Sequence, residues 1–112
     1  MDTRTKIQPP GAASALPPGA LVVSGSFDPL LAAHAEELVR LSQGACALAV
    51  VIEEPPQPIL PARARAELVA ALACVTQVYL AGDGAPAPAV SLGQEHLRRR
   101  GEFVEHLRSR QI

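Results

Sequence analysis

The sequence predicts an α/β fold built on a parallel sheet, and three of its features carry that prediction. Short runs at 20–24, 45–52 and 76–80 have strand length and are bounded by turn residues. Segments with apolar residues three and four apart follow each of them. Strand and helix patterns therefore alternate, and such alternation gives parallel sheets with right-handed crossovers.

Residues 1–18 contain Pro9-Pro10-Gly11 and Pro17-Pro18 among small residues. Such a segment buries too little to offset its ordering entropy, so it is read as a disordered arm, with the domain over 19–112. Ala20-Leu21-Val22-Val23-Ser24 suits a strand buried on both faces, ended by Gly25. A helix follows from Ala32, with Ala35, Leu38 and Val39 on its inner face and Gly44 as its stop. The run ACALAVVI at 45–52 is the second strand, and Glu53-Glu54-Pro55-Pro56-Gln57-Pro58 a loop. Helix resumes over 62–74, with Ala66, Val69, Ala70 and Ala73 inward. TQVYL at 76–80 is the third strand. Ser91-x-x-Gln94 reads as a capping box that opens the last helix, whose buried stripe is Leu97, Val104 and Leu107. No strand is read between the third one and that helix. The result is a small Rossmann-like, three-layer β-α-β-α-β-α domain with a parallel sheet and a C-terminal helix.

Composition fits one small domain: 112 residues, 48% apolar, with two Phe, one Tyr and no Trp. The net charge of -1 excludes a strong field for nucleic acid or anionic membrane. No apolar stretch has the length of a membrane span or of a signal-peptide core, and the chain is read as soluble and cytoplasmic. Cys46 and Cys74 lack metal-ligand spacing and are read as buried small hydrophobes. No residue set is read as a metal site.

Ligands of open parallel sheets bind beyond the carboxyl ends of the strands, which directs attention to loops 25–33, 53–61 and 81–91. The first is the most informative. Gly25-Ser26-Phe27-Asp28-Pro29 leaves a strand, and His34 lies near the start of the helix that follows. Glycine permits close backbone approach, and a helix N-terminus favours phosphate. A histidine there can donate to phosphate oxygens and stabilise charge built up in nucleotidyl transfer. Each residue has a plainer reading. His34 is a phosphate contact or an idle helix-start residue; Asp28 is a ligand or a loop acceptor; Gly25 and Ser26 form a phosphate cradle or a simple turn. Arg63 and Arg65 either reach a phosphate from the helix start or, in the plainer reading, are solvated or paired with Glu67 or Glu53; His96, His106 and Arg98-Arg99-Arg100 are read as parts of a charged helix. Asp83 is a lesser candidate for ribose or metal.

The stretch from Gly25 to His34, GSFDPLLAAH, resembles the G-x-F-D-x-x-H/T-x-G-H signature of the cytidylyltransferase-like nucleotidyltransferases. Residues 65–75, RAELVAALACV, are similar to the helix-to-strand segment of the nucleotidyltransferase domain of ADP-heptose synthases and of glycerol-phosphate cytidylyltransferases. The resemblance implies a nucleoside triphosphate, ATP or CTP, bound above the sheet. It implies attack by a small phosphorylated acceptor on the α-phosphate, and pyrophosphate release assisted by Mg²⁺. His34 then corresponds to the second signature histidine and is the implied catalytic residue. Gly25, Ser26, Phe27, Asp28, His34 and Ser91 are the implied nucleotide and phosphate contacts, with Phe27 packed under the loop. Leu31 stands where the signature has His or Thr, Ala33 stands where it has Gly, and the late Ser/Thr motif is represented only by Ser91 with Arg98. An alternative therefore stands beside the enzyme: a catalytically inactive relative that binds a phosphometabolite or a protein partner. A sheet with an unpaired edge also suits a homodimer.

Overall fold

The computed structural model describes residues 2–9, 16–82 and 84–109, with the side chains at 94, 97–100 and 109 outside the description. Four parallel strands form one sheet in the order β3-β2-β1-β4: β1 Leu21–Gly25, β2 Leu48–Ile52, β3 Gln77–Leu80 and β4 Val90–Ser91. Three helices connect or follow them: α1 Ala32–Ser42, α2 Ala62–Ala70 and α3 Gly93–Ser109. The α/β, Rossmann-like architecture expected from the alternation is present. In the central pair, Leu21 lies opposite Leu48 and Gly25 opposite Ile52. No described helix is long and apolar enough to cross a membrane.

β4 is a correction to the sequence reading. Val23 and Ser24 pair with Val90 and Ser91, so Ser91 is a strand residue and not a helix cap. Two residues carry too little periodicity to be seen as a strand. The strand matters because it lies on the far side of β1 from β2 and β3. The order reverses at β1, and the crevice between β1 and β4 is the topological switch point, where ligands of such sheets bind.

β2 is buried at every position, as a central parallel strand should be. Val23, Val50, Ile52 and Val78 pack on one face against Leu38 of α1 and Ala66, Val69 and Ala70 of α2. Each such Val or Leu contributes about 1.5–3 kcal/mol through burial. On the other face Val22, Ala49, Val51 and Tyr79 are covered by Leu16 and Ala85 from irregular segments. The second outer layer of the expected three is thus loop rather than helix among the described residues.

Several local expectations shift. α1 is turned so that His34 and Leu38 are inward, while Val39 is exposed. α2 ends at Ala70, and Ala73 is exposed. Part of the expected arm is ordered. Asp2 caps a short 3-10 helix, Thr3–Lys6, by accepting from the Arg4 N–H. Ile7 then bridges to Val78, and the Lys6 ammonium donates to the Leu72 carbonyl at 3.0 Å. Cys46 is exposed rather than buried, with Sγ 3.0 Å from the Pro18 carbonyl, and Cys74 is half-buried. Asp83, read as a ligand candidate, lies outside the described residues, as do the side chains of Leu97, read as part of the buried stripe, and of Arg98-Arg99-Arg100.

Candidate functional site

β1 delivers the motif to the switch point. Gly25 ends the strand, and the chain turns through Phe27 in the left-handed region at φ 47°. A side chain other than glycine pays for that conformation by about 1 kcal/mol or more. The Phe27 ring, fully buried in the core, offsets the cost. The ring joins the core formed by Val23, Leu38 and Ile52.

His34 lies in the first turn of α1 and is almost completely buried. Its Nδ1 accepts the Leu31 N–H at 3.0 Å, so the imidazole does the capping that Leu31 cannot. Facing it is His96, in the first turn of α3. The sequence reading left His96 in a solvated charged helix, and this is corrected: the residue is buried at 2% exposure. Its Nδ1 accepts the Phe27 N–H at 3.3 Å. The two imidazole centroids are 4.2 Å apart, and His96 lies 4.3 Å from the Phe27 ring. An Nδ1 that accepts leaves the hydrogen of a neutral imidazole on Nε2. In its neutral form each ring would then carry its hydrogen on Nε2. They floor a cavity of about 280 Å³ between α1 and α3, rimmed by Glu36, Glu37, Arg40 and Glu95. Arg40 is paired with Glu37.

Gly25 is glycine for a steric reason. A Cβ there would lie 2.3 Å from Cε1 and 2.5 Å from Nδ1 of His96. The space above the glycine is filled by the His96 ring.

Asp28 acts on the neighbouring loop. Its buried carboxylate accepts the Ile59 and Leu60 N–H groups at 2.7 and 2.8 Å. This is the loop-acceptor reading rather than an open ligand group. Arg65 works beside it and is another correction. It was expected to be solvated or paired with Glu67 or Glu53, yet it is fully buried. Its guanidinium donates to the carbonyls of Leu60, Ser26 and Glu53 and to the Glu54 carboxylate. Its spacing to Val69 and the buried Ala66-Ala70 pair beside it were the available signals, hidden by the charge of the residue. Arg63 does pair with Glu67, on the surface.

Ser26 and Ser91 come together in a second cavity of about 190 Å³, with Glu53, Glu54, Pro55, Pro56 and Gly93. The motif residues are thus divided between two cavities on either side of the α3 N-terminus: His34 with His96 in one, Ser26 with Ser91 in the other. Among the described residues no group of three or more His, Cys, Asp or Glu is arranged to hold a metal ion, so the Mg²⁺ implied by the resemblance has no cage built by the protein there.

No protein-family model matches the chain, and no curated protein matches it.

Proposed function

We propose that the chain is a nucleotidyltransferase-type domain that binds the phosphates of a nucleotide, ATP or CTP, or of a small phosphorylated molecule in the cavity between α1 and α3, beside the β1–β4 crevice. The observation that carries this reading is the matched imidazole pair. His34 and His96 come from the first turns of two helices, and each Nδ1 is tied to a loop N–H. Two Nε2–H donors beside two helix N-termini suit an anionic oxygen cluster. In a nucleotidyl transfer, the acceptor phosphate would attack the α-phosphate and pyrophosphate would leave. The two donors would stabilise the charge that develops. A cytoplasmic location, where nucleotides are abundant, accompanies this reading.

Two observations favour the second reading, a catalytically inactive phosphometabolite-binding or protein-interaction module. His96 fills the space over Gly25, and Leu31 brings no hydrogen-bonding side chain to the loop.

Thermal unfolding with millimolar ATP, CTP or GTP plus Mg²⁺ tests the binding. A ligand at 100 times its Kd adds about 2.7 kcal/mol. His34→Ala and His96→Ala are each expected to shrink the shift. No shift with any nucleotide or with inorganic phosphate removes both binding readings and leaves the interaction module. Pyrophosphate release with phosphorylated polyols or sugars separates a transferase from a binder, and sedimentation reads the expected homodimer.

A further inference from the structure

We propose that the second cavity, an open cleft at the carboxyl ends of β1, β2 and β4, is a subsite for the vicinal hydroxyls of a sugar or polyol, and not for phosphate. The inference rests on reading the crevice as a small-molecule site and goes beyond it, to the part of the ligand that bears no charge.

Three observations carry it. First, Ser26 is 3% exposed, and its Oγ has no hydrogen-bond partner among the described residues. Burying a hydroxyl without a partner costs about 1–3 kcal/mol, so the group is set for a ligand. Second, the Glu53 Oε1 is likewise buried and lacks a partner among the described residues. Both side chains line the same cavity. Third, the place an anion would take is already filled. A Cβ on Gly93 would lie 3.3 Å from both Glu53 carboxylate oxygens, so this carboxylate sits against the first residue of α3. A helix N-terminus favours one negative charge, and Glu53 supplies it. Glu54 on the same wall is already paired with Arg65, so a phosphate here would meet the Glu53 carboxylate, whose Oε1 has no partner among the described residues.

The set that remains alternates in character. Glu53 accepts only, whereas the Ser26 and Ser91 hydroxyls donate or accept. A hydroxyl also does both, so two adjacent hydroxyls can donate to Glu53 and exchange hydrogen bonds with Ser26. An ammonium would only donate, and the positive end of α3 opposes it. The volume, about 190 Å³, is that of roughly six waters at about 30 Å³ each, enough for a small sugar or polyol. Pro55 and Pro56 give an apolar wall for its carbon face.

The hydroxyls could belong to the ribose of a nucleotide or to the acceptor, and phosphate-free probes separate the two. Amide chemical shifts are followed while cytidine, 2′,3′-dideoxycytidine, glycerol and inorganic phosphate are titrated separately to tens of millimolar. Shifts at Ser26, Glu53 and Gly93 with cytidine assign the ribose; shifts with glycerol alone assign the acceptor. Dideoxycytidine is expected to bind about tenfold more weakly than cytidine, the effect of losing a hydrogen bond to a charged group. Ser26→Ala and Glu53→Gln are each expected to weaken the responding hydroxyl probe about tenfold. Ser26→Ala removes one oxygen only, and its unfolding curve reports whether the fold is kept. The proposal is overturned if neither cytidine nor glycerol shifts these amides. It is equally overturned if cytidine responds alone and dideoxycytidine binds as well, or if inorganic phosphate is what shifts Ser26 and Gly93. Failure of the phosphate-binding reading looks different: hydroxyl probes still respond, while phosphate leaves His34 and His96 unmoved.

Discussion

The loop after β1, residues 26–31, is held largely by near neighbours in sequence, the Phe27 ring in the core and the His34 imidazole on the Leu31 N–H, with His96 of α3 on the Phe27 N–H. The loop after β2, residues 53–61, is held from outside, by charged side chains that belong to other segments. Asp28 takes two of its N–H groups and Arg65 two of its carbonyls. The difference is one of sequence distance. The first loop carries one anchor, Phe27, takes a second from His34 at the adjoining helix start, and adds His96 and Arg65 from distant segments. The second borrows anchors from the first loop and from α2, so Asp28 and Arg65 tie the two together, and the Arg65 bond to the Ser26 carbonyl completes the link.

Breaking the borrowed anchors should have the largest effect. Arg65→Met is expected to leave three carbonyls short of a donor in a buried setting, at about 1–3 kcal/mol for each group left unsatisfied. A loss above about 3 kcal/mol in urea unfolding is the expected outcome, and Arg65→Lys should recover only part, since an ammonium lacks the planar fork. A loss below about 1 kcal/mol for Arg65→Met would mean that the loops do not depend on it. Asp28→Asn comes next, at about 2 kcal/mol, because one of two charge-assisted bonds disappears and the other weakens. Its effect should be local. Hydrogen exchange is expected to quicken at Ile59 and Leu60 while the amide of Leu31 stays protected. Equal quickening in both loops would contradict the difference in how they are held.

Sequence reading reached the two loops unequally for the same reason. The first was legible because its determinants are contiguous: glycine, an aromatic, an acid and a helix-start histidine within ten residues. The alternation of strand and helix was legible too, because apolar runs like Leu48–Ile52 are local patterns. Arg65 and His96 were not, since residue type alone assigns both to solvent, and only tertiary placement turns them inward. Strand β4 was missed because two residues give no period, although Ser91 itself was singled out. Glu53 and Glu54 read as loop, and what gives them meaning is the arrival of Gly93 and Arg65 from distant segments.

The inner anchor of the first loop is tested by Gly25→Ala. The added Cβ overlaps the His96 ring, and relief by movement of that ring should cost about 1–3 kcal/mol. The double variant with His96→Ala is expected to regain part of this, with a coupling of about 1 kcal/mol in a double-mutant cycle. Strict additivity would show that the ring does not occupy the glycine cleft.

The smallest effect is expected on the other face of the sheet, the one covered by irregular segments. There Tyr79 is buried and its hydroxyl donates to the Gln77 side chain at 3.3 Å. Burial pushes the phenol pKa above its ordinary value near 10. A raised acid favours the neutral form in the folded state, so this contribution is fully present below about pH 10 and is lost as pH rises through the higher folded value. Tyr79→Phe should cost at most about 1 kcal/mol at neutral pH, for the lost hydrogen bond. It should also flatten the fall in stability above pH 10. Because this face carries neither loop, the variant is expected to leave hydrogen exchange at Leu31, Ile59 and Leu60 unchanged. A variant that opened the 53–61 loop from here would mean that the loop draws on the thin second layer as well as on Asp28 and Arg65.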